Sequence, residues 1–163
     1  MKKNFLNFAM VALVAVGSAA YTGCGKKGCT TEADDKFDSA ATEQDAGACD
    51  PNGTTNKFTG SWTFAIGGNA QDTYVGTVTN NGDYKLTLTT NFGLTGVTAF
   101  NVPLTVNQSS ASSTSVQVGG VGNGTVTVDE FKYLTSTSSS IKVTYAGFTA
   151  TAINGTYTDQ GSK

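Results

Sequence analysis

The sequence predicts an all-β protein, a small eight-stranded antiparallel up-and-down barrel, with a two-sheet β-sandwich as the alternative. Three observations point there. From Lys57 onward, short runs alternate apolar residues with Thr or Ser, the period-two pattern of half-buried strands. Clusters of Gly, Asn and Asp separate the runs. No stretch carries a helical period, apart from a short candidate at Asp129 to Tyr133. Eight runs joined by short turns favour consecutive antiparallel pairing, and closing such a meander removes its edges.

The runs follow in order. Ser61 to Ile66 puts Trp62, Phe64 and Ile66 on one face. Thr73 to Thr79 follows a Gly67-Gly68-Asn69 turn. Tyr84 to Thr90 follows Asn80-Asn81-Gly82-Asp83, a hairpin signal because Asn and Gly accept positive φ. Tyr84, Leu86 and Leu88 share its inner face. Thr98 to Val106 aligns Phe100, Val102, Leu104 and Val106, and Pro103 on the other face lacks a donor, which suggests an edge or a bulge. Ser115 to Val118 is short. Gly124 to about Leu134 aligns Val126 and Val128, Ser140 to Ala146 alternates Ile141, Val143 and Tyr145, and Ala150 to Thr158 carries Ile153 and Tyr157. Ser109 to Ser115 and Thr135 to Ser140 read as solvated loops.

Composition narrows the chemistry. The chain has 163 residues and 13% charged side chains, against about a quarter in ordinary domains. Histidine and arginine are absent, and all 10 cations are lysine. That removes histidine as a catalytic base and as a metal ligand. It also removes the bidentate fork that phosphates prefer, and a net charge of -2 attracts no polyanion. No nucleic-acid role, cofactor or metal is expected. The domain holds five acids, Asp72, Asp83, Asp129, Glu130 and Asp159. Three of these fall in expected turns or the tail. Asp129 and Glu130 are adjacent, so on a regular strand they face opposite ways. No paired-carboxylate site and no activated hydroxyl is visible, and the expectation is a non-enzyme.

The first 23 residues read as an export signal. Met1-Lys2-Lys3 is basic, Phe5 to Val16 is an apolar stretch too short to span a bilayer, and Gly17-Ser18-Ala19-Ala20 is small. Cleavage after Ala20 is one reading. In the other, Tyr21-Thr22-Gly23-Cys24 resembles a bacterial lipobox, which makes Cys24 the acylated first residue of the mature chain. Three cysteines leave one thiol over in an exported protein. Acylating Cys24 removes it and leaves Cys29 and Cys49 as a candidate disulfide. Closing that loop of 20 residues removes roughly 3 kcal/mol of unfolded-state entropy.

Residues 24–56 then read as the lipidated cysteine followed by a disordered acidic tether. Seven acids lie between Thr30 and Asn56 (Glu32, Asp34, Asp35, Asp38, Glu43, Asp45, Asp50), and the only large apolar residue there is Phe37. Such a segment buries too little surface to offset its ordering entropy. About thirty flexible residues span roughly 30 Å. The acids lack the alternating spacing of a calcium loop. The domain proper is 57–163.

Phe58-Thr59-Gly60-Ser61-Trp62 matches the G-x-W opening of lipocalin-like (calycin) barrels. The order of a lipobox-like cysteine, a polar spacer, F-x-G-x-W and Thr-rich strands resembles small lipocalin-like lipoproteins of Gram-negative bacteria. That resemblance covers roughly residues 57 to 163, with Gly60 and Trp62 as the barrel motif. It implies an outer-membrane lipoprotein of the cell envelope, on either face, monomeric and held to the membrane by its lipid. It also implies an arginine over Trp62 from near the last strand. This chain has none, so Lys142 or apolar groups are left to cover the ring.

A barrel of eight strands is either packed solid or holds one small ligand. A filled interior is the first expectation. If a small apolar ligand is bound, the candidate lining is Phe64, Tyr84, Leu86, Phe100, Val102, Tyr145 and Tyr157, with tyrosine hydroxyls to orient it. The other reading is a surface interaction or structural module without a ligand. It expects an exposed aromatic patch around Phe92, Phe131, Tyr133 or Phe148.

Overall fold

A computed structural model describes residues 25–119, 123–150 and 153–163. Residues 1–24, which hold the stretch read as an export signal and Cys24, lie outside the described residues. Two short strands, β1 (Lys27–Gly28) and β2 (Glu43–Gln44), pair in parallel, and helix α1 spans Pro51–Asn56. The barrel is built from β3 (Gly60–Ala65), β4 (Thr73–Asn80), β5 (Lys85–Thr90), β6 (Phe100–Asn107), β7 (Ser110–Ser112), β9 (Gly124–Thr135), β10 (Ser138–Ala146) and β11 (Gly155–Ser162). Each pairs antiparallel with the next, and β11 returns to β3 through Gln160–Ala65, Gly161–Phe64 and Ser162–Thr63. The result is a closed eight-stranded antiparallel barrel of the up-and-down kind, plus one extra strand, β8 (Val116–Val118). The two-sheet sandwich is excluded.

Strand count agrees with the sequence, but one member differs. The run at Ser115 to Val118 is the extra strand, and the eighth barrel strand is β7, which lies in the stretch expected to be loop. β10 pairs along the whole length of β9, so β7 and β8 share the other edge of β9. They form one interrupted strand. Between them Ser113 stays bonded to Val128, its amide donating to the carbonyl and its hydroxyl accepting from the amide. Serines carry too little apolar signal for that continuity to be read from sequence.

A bulge in β9 corrects a second expectation. The register with β10 slips between Lys142 and Val143, so the residue opposite steps from Glu130 to Val128. Two residues then face one, and the in-out phase shifts. Asp129 and Glu130 are therefore both exposed rather than on opposite faces, and Phe131 turns inward with none of its surface exposed. The short helical candidate at Asp129 to Tyr133 is part of this bulged strand.

One buried core runs through the barrel, from Phe58 and Trp62 near the start of β3 to Phe92, Tyr145 and Phe148. Trp62, Phe64, Leu86, Leu88, Val102, Leu104, Phe131 and Ile141 are among its most deeply buried members. Two glycines on strands flanking β3 make room for Phe64. A Cβ on Gly76 would lie 2.9 Å from the Phe64 ring, and one on Gly161 would lie 2.8 Å from it and collide with Ser139 Oγ. Gly161→Ala is therefore expected to cost about 1–3 kcal/mol by overpacking. Gly119→Ala, where a Cβ meets nothing within 4 Å, is expected to be close to neutral. Urea unfolding of both variants checks the contrast.

Residues 25–56 do not form a disordered tether. They fold as a cap over the end of the barrel that holds the β4–β5 and β6–β7 turns. Cys29 and Cys49 are joined in a disulfide. Asp34 is fully buried, and its carboxylate accepts from the amides of Lys36 and Asp50 and from the Tyr84 hydroxyl, each at 2.8 Å. Gln108 donates its amide to the Ala33 carbonyl (2.8 Å) and its side chain to the Glu32 carbonyl (3.0 Å). Lys57 pairs with Asp35. Asp50 caps α1 by accepting from the Gly53 amide, which holds its carboxyl below the usual range. Counting apolar residues missed this segment because a cross-link and one buried acid organise it, not a hydrophobic face.

Candidate functional site

The motif residues sit at the capped end. Gly60 opens β3 at a φ of 119°, a conformation that favours glycine. The bend sets Phe58 under the barrel, where it packs on Phe131 with centroids 5.4 Å apart. Trp62 is completely buried; its indole N–H donates to the Phe58 carbonyl at 2.7 Å. The cation over its ring is Lys163, with Nζ 4.2 Å from the ring centroid. The same Nζ donates to the Thr59 carbonyl at 2.6 Å, and burial lowers the pKa of the group. Lys142 is on the exposed face of β10 and takes no part. Sequence reasoning missed Lys163 because the last strand runs to Ser162, four residues beyond its expected end, and carries residue 163 back to the capped end.

At the opposite end the described residues leave the barrel interior open. The β3–β4 turn, the β5–β6 loop and the β10–β11 loop surround a hollow of about 220 Å³ lined by Ile66, Phe92, Gly93, Leu94, Tyr145, Ile153, Tyr157 and Asp159. A second hollow of about 320 Å³ adjoins it, sharing Gly93, Leu94 and Ile153 and bounded by Phe148. The rings of the first hollow interlock: Phe92 meets Tyr145 at 6.2 Å, and Tyr145 meets Tyr157 at 5.7 Å, both edge-to-face. Asp159, only 2% exposed, accepts from the Gly67 amide and from the Tyr74 hydroxyl, both at 2.9 Å.

Of the seven expected lining residues, Tyr145 and Tyr157 reach this mouth. Phe64, Leu86 and Val102 belong to the packed core, and Phe100 leans on Phe92. Tyr84 precedes β5 with a φ of 56° and turns its hydroxyl to the cap. The mouth residues that the period-two reading missed, Leu94 and Asp159, lie in a long loop and beyond the expected end of the last strand. The aromatic patch expected of an interaction module is not exposed: Phe92, Phe131 and Phe148 are buried and Tyr133 is half-buried. Among the described residues, one grouping has metal-ligand proximity, Cys29, Asp34 and Cys49. Its sulfurs are bonded to each other and its carboxylate already holds three donors.

Three tyrosines are shifted in one direction. Burial, then the Asp34 hydrogen bond and charge, raises Tyr84 from 10.0 to about 12. Burial, then the Asp159 charge, raises Tyr74 and Tyr145 further still. The fold favours the neutral phenols, so their contribution is whole below about pH 10 and declines as pH rises through the folded-state values. Phenolate absorbance is expected to show Tyr84 ionising near pH 12 and Tyr74 and Tyr145 only when the barrel opens. Full ionisation of all tyrosines near pH 10 with the far-ultraviolet spectrum intact would contradict this placement.

Comparison with protein families, with curated proteins and with solved structures finds no match for this chain.

Proposed function

We propose that this chain is a non-enzymatic lipoprotein of the cell envelope, whose lipocalin-like barrel binds one small, largely apolar molecule at its open mouth. The observation that carries this reading is the hollow of about 220 Å³ at the end opposite the cap, walled by Ile66, Phe92, Leu94 and Ile153 with two tyrosines. Its own volume is below the usual range for drug-sized ligands, about 300–1,000 Å³, and the adjoining hollow of about 320 Å³ is at the lower end of that range, which favours a small guest.

The lipocalin-like assignment is supported by Gly60 and Trp62 at the start of the first barrel strand. Lys163 lies over the Trp62 ring, in the role that the resemblance gives to an arginine. Anchoring through Cys24 is supported by the Cys29–Cys49 disulfide, which occupies the other two cysteines. Several acyl chains on one residue give stable attachment where one chain does not. Gly25 adjoins the folded cap, so a lipid on Cys24 would hold the capped end near the bilayer and turn the mouth away from it. The outer membrane is the destination suggested by the resemblance, with the protein a monomer.

Titration with indole or toluene tests the ligand reading. Amide resonances of Gly93, Leu94 and Ile153 are expected to shift in a saturable way, with those of Leu88 and Val102 unmoved. No saturable shift at the mouth would leave a filled structural module as the better reading, in line with the continuous buried core. Mass spectrometry of the mature protein tests the anchor, where an unmodified Tyr21 start would exclude it.

A further inference from the structure

A purely apolar guest leaves Asp159 unused. This carboxylate borders the mouth hollow and is almost wholly buried. It accepts one bond from Gly67 and one from Tyr74. A carboxylate has about four acceptor positions, so two are unfilled by these bonds. Among the described residues no lysine pairs with it: the ion pairs are Lys26–Asp38, Lys36–Asp50 and Lys57–Asp35. A buried charge without a partner is costly, and an apolar residue at that position would avoid the cost. The surroundings suit a cation. The rings of Phe92, Tyr145 and Tyr157 stand around the same hollow, and aromatic faces attract ammonium groups.

We infer that the mouth binds a protonated amine with a small aromatic or aliphatic body, the ammonium on Asp159 and the body against Phe92, Leu94 and Ile153. This rests on the ligand-binding reading above and specifies its ligand. The carboxylate gives charge and direction, the tyrosine rings shield the ammonium, and the apolar wall takes the rest.

Three probes of one shape decide it: 2-phenylethylamine, 2-phenylethanol and 3-phenylpropionate, titrated calorimetrically into the full folded protein at neutral pH. The amine is expected to bind about 10- to 100-fold more tightly than the alcohol, the worth of a hydrogen bond to a charged group, and the carboxylate most weakly. Asp159→Asn is expected to remove the preference for the amine while retaining the alcohol. Should that variant fail to fold, Tyr157→Leu at the rim is expected to weaken the amine more than the alcohol. Equal binding of amine and alcohol by the unaltered protein overturns the inference and leaves the apolar-ligand reading standing. Binding of none of the three, nor of indole, overturns both.

Discussion

Replacing Trp62 with alanine is expected to cost about 3–5 kcal/mol, the usual range for a fully buried aromatic. Three losses coincide at this position. The ring leaves a cavity against Phe131, which it meets edge-to-face at 5.9 Å. The Phe58 carbonyl, bonded to the indole N–H at 2.7 Å, loses its donor in a buried setting. Lys163 loses the ring beneath its ammonium. Lys163→Ala alone is expected to cost much less, about 0.5–1 kcal/mol, because the residue is exposed overall and its ammonium is only partly desolvated over the ring, which weakens the cation–ring attraction. The two effects are coupled: in Trp62→Ala the further loss of Lys163 should cost almost nothing from the ring contact. A double-mutant cycle by urea unfolding, with midpoints compared at unchanged slope, measures this. Strictly additive costs would mean that Lys163 and Trp62 do not act together. Unfolding of Trp62→Ala at the midpoint of the unaltered protein would mean that the F-x-G-x-W segment does not lock the barrel.

How far the sequence could be read depends on which signal each element carries. Alternation of apolar and Thr or Ser residues is strong in β4, β5, β6 and β10, and those strands lie within two residues of their expected bounds. The signal fails where the backbone departs from a regular pleat. The bulge at Asp129 and Glu130 puts Phe131 in phase with the core, and no residue type announces it. β7 is three residues of Ser and Ala, held by position between neighbours and not by its own hydrophobicity. The site was half legible. Tyr145 and Tyr157 were expected inside because they continue the alternation. Leu94 sits in a loop whose course depends on long-range packing. Asp159 lies beyond Tyr157, the last apolar residue of the alternation, so the pattern has nothing that places it on β11, which extends to Ser162. The cap was the largest departure, because hydrophobic counting has no term for a buried carboxylate that gathers three donors.

That cap sets the second large effect. Replacing both Cys29 and Cys49 with serine is expected to cost roughly 3 kcal/mol in the chain-entropy account of a loop of this length. The loss should fall on one part of the molecule. The barrel closes through β11 and β3 without any residue before Gly60, and its ladder bonds do not depend on the disulfide. Within the cap, by contrast, β1 and β2 are two residues each and α1 is six, too short to hold themselves. What remains is the Asp34 cluster, and it needs Asp34 and Asp50 held at one place over Tyr84. Without the cross-link that meeting must overcome the entropy of a free chain. Trypsin should then cut at Lys36 in the variant and spare it in the disulfide form, while Lys85, Lys132 and Lys142 stay protected within strands. Tyr84 reports the same event independently: once Asp34 leaves and water enters, its ionisation should fall back from about 12 toward 10.0. Loss of barrel and cap together in one transition, with all lysines cut at equal rates, would show that the cap is an integral part of the barrel's cooperative unit instead of a lid clamped to its end.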